Sequence, residues 1–493
     1  MIVERKGTTS MNSGTAIMNS TESRILVVDL DGTLIRTDLL VESFFALLKR
    51  NILFVFLLPL WLMKGKARFK HEIAARVDID AGLLPFHDEF LGYLKEEHAK
   101  GRRLILATAS NEKFAAAIAL YLGIFDDVLA SNATVNLSGR RKLERLQELF
   151  GTDGFDYAGN AMVDLALWER AGEALLVNPE RGVKAAAERQ RAVTQVFDDR
   201  AGNPLRHYLK ALRLHQWLKN LLIFIPLLMA HRFNEPVLVE QALLAFLAFG
   251  LCASSVYLLN DLLDMPDDRQ HPTKRHRPFA AGAIPIVNGV ILIPVLLVSA
   301  FGLALFLPVE FIGVLASYYV ITLAYSFRLK RAALIDVLTL AGLYTIRIIA
   351  GAAAVSVVPS FWLLAFSMFL FLSLALVKRY TELLTMQQQE RTMSSGRGYR
   401  TIDLETLSQF GSASAYMAVL VLALYINSEA VRDLYTNPEI IWLLCPLLLY
   451  MVTRIWFLAR RDELHEDPVV FLIRDHHSHW LVGFGAILLW LAV

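Results

Sequence analysis

The chain has 493 residues, of which 55% are hydrophobic, and its formal net charge is only +2. This near-neutral charge gives no reason to propose a nucleic acid as a partner. The two cysteines, Cys252 and Cys445, both lie inside apolar runs, which argues against a disulfide framework or a zinc site. Residues 1–205 alternate charged and apolar stretches, whereas long apolar runs dominate from about residue 216 onward. The sequence therefore predicts a soluble part followed by a membrane part.

The predicted soluble part begins after a polar segment. Residues 1–23 contain no apolar core of a signal peptide, so we predict a disordered segment without a cleaved signal. Residues 24–182 are predicted to form an α/β domain, which starts with the apolar strand ILVV. That strand ends in Asp29 and Asp31, which are followed by Gly-Thr.

The segment ILVVDLDGTLIRTD resembles the first motif of the haloacid dehalogenase (HAD) phosphatase superfamily, and the resemblance covers about residues 21–180. It implies a doubly wound parallel sheet with a cap inserted at about 39–80. It also implies that Asp29 is an aspartyl nucleophile and that Asp31 protonates the leaving oxygen. Thr108 and Lys142 would hold the transferred phosphoryl group, and Mg²⁺ would lie among Asp29, Asp31 and Asp164.

One position departs from that family. Many members place an acid immediately after the glycine of the fourth motif, where this chain has Asn160. An asparagine keeps a carbonyl oxygen for a metal or a water but removes a charge. This departure leaves two interpretations of the domain. We favour an active phosphatase, and the alternative is a degenerate regulatory domain.

The predicted cap contains an unusually apolar segment, residues 39–63. Lys49 and Arg50 interrupt the run and Pro59 breaks its second half, so neither piece spans a bilayer comfortably. One interpretation is a helical hairpin on or in the membrane surface. The other is a cap core that packs against the membrane domain.

The membrane part is predicted to follow a linker and an interfacial helix at 183–215 and to occupy residues 216–493. Its apolar runs predict nine spans, of which the first and last are short: 217–231, 238–259, 285–307, 310–327, 334–355, 360–377, 410–426, 438–458 and 478–493. The loops after the even-numbered spans carry fifteen arginines and lysines, whereas the opposite loops carry only Arg232 and Arg432. By the positive-inside rule the basic side is cytoplasmic, and the N-terminal domain lies there too. We therefore expect a protein of a bacterial inner membrane.

An Asp-rich segment, NDLLDMPDDRQHPTKRHRP, starts at Asn260 where the second span ends. If the helix continues, Asp261, Asp264 and Asp268 share one face. Hard oxygen ligands in this arrangement suit Mg²⁺, with water and substrate phosphates completing its shell. The basic residues that follow would hold a diphosphate and stabilise it as a leaving group. A solvated, charged loop is the alternative.

A single charge, Arg347, lies inside the fifth span in LYTIRIIAGAA. A charge at that depth is costly unless it faces a polar cavity or a partner. Asp336 lies about three turns earlier, near the mouth of the same span. We expect Arg347 to bind phosphate and Asp336 to bind a second metal or the substrate. A structural contact between the two is the alternative.

The pattern NDxxDxxxD and the nine predicted spans resemble the UbiA superfamily of intramembrane prenyltransferases, most of whose members hold a prenyl diphosphate through Mg²⁺ between two Asp-rich motifs. Position 340 is Leu, so the second motif lacks its DxxxD. Several separated motifs resemble one branch of the family, the decaprenyl-phosphate phosphoribosyltransferases: NDLLDMPDDRQHPTKRHRP, YSFRLK followed by Asp336, IRIIAG, KRYTEL and EDPVVFLIRD. In that branch the donor is phosphoribosyl pyrophosphate and the acceptor is a polyprenyl phosphate. The substrate-binding candidates on this reading are Asn260, Lys274, Arg277, Tyr325, Arg328, Lys330, Arg347, Lys378 and Arg379.

The sequence thus predicts a bifunctional, Mg²⁺-dependent membrane enzyme, with Asp261 and Asp264 as its catalytic transferase residues. The membrane half would transfer 5-phosphoribose to the lipid phosphate, and the HAD half would remove the 5-phosphate. The product would serve arabinose- or ribose-containing glycans. One rival is a UbiA-type prenyltransferase with an aromatic acceptor, and another is a transporter with a regulatory HAD domain. A transporter places its ionisable residues near the midplane, whereas these gather at one face. The sequence is compatible with an oligomer.

Overall fold

The computed structural model describes residues 24–152, 154–190, 193–199, 203–388, 398–428, 435–464 and 468–492. The predicted disordered segment 1–23 and Arg432 lie outside the described residues, as do Arg391, Arg397 and the first two residues of EDPVVFLIRD. The chain divides into two compact units. The first comprises the described parts of Met1–Leu39 and Trp61–Arg200, and the second those of Leu40–Leu60 and Ala201–Val493.

A parallel six-stranded sheet forms the centre of the first unit. Its strands are β1 (Ile25–Val28), β2 (Leu104–Asn111), β3 (Asp127–Ser131), β4 (Phe155–Gly159), β5 (Ala174–Val177) and β6 (Gln195–Phe197). Their order is β3-β2-β1-β4-β5-β6. The order in which strands are added to the sheet therefore reverses between β1 and β4. Val28 pairs with Leu106 on one side and with Ala158 on the other. The residues that follow β1 and β4 therefore meet at the switch point, where open α/β sheets form their crevice. The predicted doubly wound fold is confirmed.

Helices cover both faces of this sheet, as the apolar strands require. They are α3 (Lys66–Ala74), α4 (Asp88–Ala99), α5 (Glu112–Leu122), α6 (Arg140–Phe150), α7 (Leu165–Trp168) and α8 (Val183–Gln190). The amphipathic α6 buries Lys142 and Leu146 and exposes its other charged side chains.

The apolar segment between the first two HAD motifs folds as three helical pieces: α1 (Leu39–Arg50), a 3₁₀ helix (Ile52–Phe56) and α2 (Leu58–Met63). From Leu40 to Leu60 it belongs to the second unit. Phe45 packs in one apolar cluster with residues near the end of the second predicted span. Phe56 and Met63 are instead largely exposed. The start of the segment thus packs on protein, and its later part presents apolar side chains outward.

The second unit is entirely helical. Its helices are α9 (Pro204–Ala211), a 3₁₀ segment (Leu214–Phe224), α10 (Ile225–Met229), α11 (Pro236–Leu263), α12 (Met265–Gln270), α13 (Ile286–Ala304), α14 (Val309–Phe327), α15 (Ile335–Ala354), α16 (Phe361–Gln388), α17 (Leu404–Ile426), α18 (Pro438–Ile441), α19 (Leu444–Arg460), α20 (Pro468–Arg474) and α21 (His476–Ala492). In the described part of the chain, seven helical stretches are long and apolar enough to cross a membrane, and they contain α11, α13 to α17 and α19.

Two of the nine predicted spans, which were expected to be short, are not among these seven stretches. The first is the short stretch Leu214–Met229, most of which is 3₁₀ helix, and the last is the 17-residue α21. Arg213 adopts a left-handed conformation, with φ of +51°, between α9 and the 3₁₀ segment. Such a conformation is strained for a residue other than glycine and is typical of functional sites.

Glycines let this 3₁₀ segment approach its neighbours closely. A Cβ atom at Gly351 would lie 1.9 Å from the carbonyl oxygen of Ile223, and one at Gly250 would lie 2.8 Å from the ring of Trp217. The glycine of the motif IRIIAG therefore has a packing role, because α15 and the segment Leu214–Phe224 touch at the backbone.

Candidate functional site

The predicted phosphatase residues converge at the carboxyl ends of β1 and β4. Lys142 Nζ donates to Asp29 Oδ1 at 2.7 Å and to the hydroxyl of Tyr157 at 3.1 Å. The Tyr157 hydroxyl donates to Asp164 Oδ1 at 2.9 Å. Burial lowers the pKa of Lys142, but Asp29 and Asp164 outweigh it, so the net pKa is raised and Lys142 stays cationic. The four residues form one buried hydrogen-bonded chain.

Asp31 lies on the same loop and is held by neutral donors. The Leu39 backbone N–H donates to Asp31 Oδ1 at 2.8 Å, and Ser110 Oγ donates to Oδ2 at 2.6 Å. Burial raises the pKa of Asp31 to about 7, and Asp38 adds to the shift. A carboxyl that holds its proton near neutral pH can act as a general acid. Burial also raises the pKa of Asp29, to about 6, although Lys142 opposes the shift.

Asn160 packs against the loop after β1. Its Oδ1 accepts a hydrogen bond from the Thr33 hydroxyl at 3.2 Å, and a Cβ atom at Gly32 would lie 2.3 Å from its Nδ2. Gly32 has a positive φ of +76°, so this position favours glycine for two reasons. The side-chain oxygen of Asn160 therefore has a protein partner within the loop.

Three further residues complete this site and were not expected from the sequence. Tyr157 belongs to the buried series of hydrogen bonds, and Ser110 donates to Asp31. Lys70 of α3 donates through its Nζ to the carbonyl oxygen of Ala109 at 2.6 Å. Burial lowers the pKa of Lys70. Ser110 lies two residues after Thr108 along β2, which puts both side chains on the same face of the strand.

The second unit contains a cavity of about 580 Å³. Several of its lining residues were candidates from the sequence: Asn260, Asp261, Arg277, Tyr325, Arg347, Lys378 and Arg379. Seven cations line it, namely Lys210, Arg213, Lys219, Arg277, Arg347, Lys378 and Arg379, against two carboxylates, Asp261 and Glu382. A cavity with this excess of positive charge suits a ligand with several negative charges.

The Asp-rich segment does not continue as one helix, because α11 ends at Leu263. Asp261 pairs with Arg213 and with Arg277, at 3.1 Å from Arg277 Nη1, and that nitrogen also lies 2.6 Å from Asp268. Asp264 instead faces Lys330, at 3.0 Å. Asp261 and Asp268 therefore converge on one arginine, while Asp264 has separate partners.

Asp336 lies beside the cavity and is fully buried. Arg379 Nη2 donates to Asp336 Oδ1 at 3.0 Å, and the Tyr325 hydroxyl donates to the same oxygen at 2.8 Å. The carboxylate thus orients Arg379 and Tyr325, both of which line the cavity. The alternative of a contact between Asp336 and Arg347 does not occur, since Arg347 has other partners.

Three of the substrate-binding candidates do not line the cavity. Lys274 begins a 3₁₀ turn and is half-buried, Arg328 closes α14 as its C-cap residue, and Lys330 pairs with Asp264. Conversely, Lys210, Arg213 and Lys219 line the cavity, although none of them was a site candidate from the sequence. The available signal was their position in a charged stretch immediately before a short apolar run.

One buried oxygen in the cavity fits a metal ion. In the part of the chain that the structure describes, Asn260 Oδ1 is buried without a hydrogen-bond partner, and Asn260 adjoins Asp261. No three acidic, histidine or cysteine side chains of the described residues are grouped closely enough to hold a metal alone. Mg²⁺ is commonly bound by one or two carboxylates together with substrate phosphates and water. These residues therefore fit Mg²⁺ that arrives with a phosphorylated substrate.

The helical bundle and its cationic cavity define a polytopic membrane enzyme, joined to an α/β unit with a phosphatase-like site. Residues 221–482 match the UbiA prenyltransferase family, and residues 26–169 match the haloacid dehalogenase-like hydrolases. The chain belongs to the UbiA prenyltransferase family and carries an N-terminal HAD-like domain. It is an integral membrane protein and a transferase by family.

Three similar proteins show the range of these resemblances. The uncharacterized protein y4nM of Sinorhizobium fredii is 39% identical and covers 93% of this chain and 89% of its own, so it spans both units. The decaprenyl-phosphate phosphoribosyltransferase of Mycobacterium tuberculosis is 37% identical over 56% of this chain and 92% of its own. A solved UbiA homolog from Archaeoglobus fulgidus, bound to GPP and Mg²⁺, is 16% identical with a TM-score of 0.46, and the match covers 57% of this chain and 99% of that one.

Proposed function

We propose that the membrane unit transfers 5-phosphoribose from phosphoribosyl pyrophosphate to a polyprenyl phosphate. The observation that carries the proposal is the cavity's seven cations against two carboxylates. A donor with a diphosphate and a 5-phosphate, together with a lipid phosphate, supplies this much negative charge, whereas an isoprenyl diphosphate with an aromatic acceptor supplies less. The name of the Mycobacterium tuberculosis relative agrees with this donor and this acceptor.

In this reaction an oxygen of the lipid phosphate attacks the anomeric carbon of the ribose. The bond from that carbon to the diphosphate oxygen breaks, and inorganic diphosphate leaves. In-line attack inverts the anomeric carbon. Arg213 and Arg277 lie beside Asp261 and would bind the diphosphate, while Lys378 and Arg379 line the same cavity. Such fixed cations stabilise the charge that develops on the leaving group without reorganisation.

The candidates to hold Mg²⁺ are two residues that line the cavity, Asn260 and Asp261, together with Asp264, Asp268 and Asp336. Bound there, Mg²⁺ would neutralise charge on the leaving diphosphate. Arg213, Arg277, Lys330 and Arg379 neutralise these carboxylates.

We further propose that the HAD-like domain removes the 5-phosphate from the lipid product. Asp29 would attack phosphorus and form an aspartyl phosphate, while the ribose O5 leaves with the proton of Asp31. Water would then release inorganic phosphate from Asp29. Lys142 is already hydrogen-bonded to Asp29, and Thr108 is buried beside Asp31 at 3.4 Å. Mg²⁺ among Asp29, Asp31 and Asp164 would offset the burial that raises the pKa of Asp29, because a nearby cation favours the charged carboxylate.

The membrane orientation is part of the same proposal. By the positive-inside rule, the basic loops after the even-numbered spans favour an orientation with the Asp-rich segment on the cytoplasmic side of a bacterial inner membrane. Phosphoribosyl pyrophosphate is a polar, charged metabolite, so a cavity that opens to the cytoplasm gives it access. The lipid tail of the acceptor would stay among the apolar helices. The product would be a precursor of lipid-linked arabinose or ribose.

The test is to incubate the purified full-length protein with phosphoribosyl pyrophosphate, Mg²⁺ and a short polyprenyl phosphate, and to analyse the lipids by mass spectrometry. We expect a lipid with added phosphoribose, its dephosphorylated form, or both. Transfer of a prenyl group from a prenyl diphosphate to an aromatic acceptor, with no ribosylated lipid, would favour the first rival. Absence of any transfer with both donors would overturn the proposal.

A further inference from the structure

The cavity contains a second cationic centre away from the Asp-rich segment. Helix α14 carries two tyrosines, Tyr318 and Tyr325, seven residues apart. The Tyr318 hydroxyl accepts from Arg347 Nη2 at 3.3 Å, and the Tyr325 hydroxyl accepts from Arg379 Nη2 at 3.1 Å. Seven residues are close to two turns, so both tyrosines lie on one face of α14, about 10 Å apart along its axis. The two arginines therefore mark two separate places in one cavity.

Arg347 is buried, with 4% of its surface exposed, and its partners among the described residues are neutral. Nε donates to Asn220 Oδ1 at 3.0 Å, Nη1 contacts the carbonyl oxygen of Leu343, and Nη2 donates to the Tyr318 hydroxyl. Each terminal nitrogen keeps a second N–H for a ligand. A buried cation inside a membrane bundle without a carboxylate is costly. An anionic ligand would remove that cost.

A second cation shares an aromatic neighbour with Arg347. Lys219 Nζ is 5.2 Å from the ring centre of Tyr344, and the guanidinium carbon of Arg347 is 5.7 Å from the same ring centre. Phe371 stacks on this ring, with 5.0 Å between the centroids. Lys219, Tyr344 and Arg347 all line the cavity.

Next to this pair, a buried amide donor lacks a protein acceptor. Asn220 is 1% exposed, and its Nδ2 has no hydrogen-bond partner in the part of the chain that the structure describes. Its Oδ1 is already bound to Arg347, which fixes the side chain. Unsatisfied buried donors are rare and costly in proteins. Two cations, Lys219 and Arg347, and the amide donor of Asn220 therefore lie among aromatic side chains.

We propose that Arg347, Lys219 and Asn220 form a second anion site, which binds the phosphate monoester of a substrate while the diphosphate of the donor lies near Asp261 and Arg277. The inference rests on the proposed transfer reaction and specifies where its substrates lie. That reaction contains two phosphate monoesters, the 5-phosphate of phosphoribosyl pyrophosphate and the phosphate of the lipid. Both have the chemistry that this site recognises, so the test must distinguish them.

The test compares two donors, phosphoribosyl pyrophosphate and ribose 1-diphosphate, which lacks the 5-phosphate. Both are assayed with a short polyprenyl phosphate in the wild type, Lys219→Met and Arg347→Lys. Arg461→Met is the matched control, because Arg461 belongs to the same bundle but does not line the cavity. Loss of one charge-assisted contact to phosphate should raise a KM by about tenfold to a hundredfold. If Arg347→Lys does not fold, Tyr318→Phe removes one of its fixed partners instead.

A higher KM for phosphoribosyl pyrophosphate, with no change for ribose 1-diphosphate, assigns the site to the 5-phosphate. A higher KM for the lipid with both donors assigns it to the lipid phosphate. Unchanged KM values in folded Lys219→Met and Arg347→Lys would overturn the second anion site, even where kcat falls. If the wild type transfers nothing, the proposed function fails. The anion site is then decided by whether inorganic phosphate raises the melting temperature of the wild type but not of Lys219→Met.

Discussion

At the scale of single residues, every predicted transferase carboxylate is paired with a cation. Asp261 contacts Arg213 and Arg277, Asp264 contacts Lys330, and Asp336 contacts Arg379. Pairing of this kind is needed because an isolated buried charge costs several kcal/mol. The same pairs keep the arginines in fixed positions. A diphosphate that enters the cavity therefore meets cations that are already oriented.

We predict that Asp261→Asn lowers transfer by about a hundredfold or more, because it removes a carboxylate that would hold Mg²⁺ and that orients two arginines. The measurement is the initial rate with phosphoribosyl pyrophosphate and a polyprenyl phosphate at limiting Mg²⁺. Asp267→Asn is the control, since Asp267 is largely exposed and lies in the same segment. Equal rates in the two variants would remove Asp261 from the site.

At the scale of elements, breaks in helices decide where the functional side chains lie. Helix α11 ends at Leu263, which turns Asp264 away from Asp261. The left-handed Arg213 ends the α9 region and begins the 3₁₀ segment with Lys219 and Asn220. In a regular transmembrane helix over this stretch, the backbone amides would make ordinary intrahelical hydrogen bonds. Lys219 and Asn220 would then not lie in the same positions.

We predict that Gly351→Ala destabilises the protein by about 1–3 kcal/mol and lowers transfer, because the new methyl group meets the backbone of Ile223. Gly342→Ala in the same helix is the matched control. A Cβ atom there would meet nothing within 4 Å, so alanine should be neutral or slightly stabilising. Thermal unfolding in detergent and the transfer rate measure both effects. Identical melting temperatures for the two variants would show that the close contact is unimportant.

Helix α1 belongs to the second unit although its sequence lies between two HAD motifs. Arg269 Nη1 donates to Glu42 Oε2 at 3.0 Å, and the two side chains are 7% and 5% exposed. Lys49 of the same helix lies 3.2 Å from Asp264. The inserted helix therefore supplies both a buried ion pair and a cation to the Asp-rich segment.

We predict that Glu42→Gln costs about 3–5 kcal/mol, because it leaves Arg269 buried without its counter-ion. The double variant Glu42→Arg with Arg269→Glu should recover part of that loss, as the pair is restored in reverse. Glu112→Gln, at an exposed position, serves as the control. If Glu42→Gln melts at the same temperature as Glu112→Gln, the pair does not hold the helix in place.

At the scale of the whole molecule, the two candidate sites lie in the two compact units of one chain. The carboxylates Asp29 and Asp261 belong to different units, and no residue is shared between the two candidate sites. A fusion of this kind is chemically sensible, because the proposed transfer product carries the phosphate monoester that a phosphatase removes. The two reactions should therefore be separable by substitution.

We predict that Asp29→Asn still makes the phosphoribosyl lipid but does not dephosphorylate it, because the amide cannot attack phosphorus. Mass spectrometry should then show a lipid heavier than the wild-type product by one phosphate. Asp127→Asn, exposed on β3, is the control. If Asp29→Asn makes the same dephosphorylated lipid as the wild type, the HAD-like domain does not perform this step. If the wild type itself stops at the 5-phosphate, Asn160 has silenced the phosphatase or its substrate is different.

The amino-acid sequence by itself determined both folds and the order of the units. Strand-end motifs such as ILVVDLDGT and long apolar runs are local signals, because residue periodicity and hydropathy predict strands and membrane helices. Asp29, Lys142 and Asp164 were predicted together because each lies in a motif of the HAD superfamily that the chain resembles. Only the tertiary structure decided which charges meet across the helices. Arg213 and Lys219 reach the cavity, Asp336 pairs with Arg379, and Leu40–Leu60 joins the second unit, because these contacts depend on helix ends and packing between residues far apart in sequence.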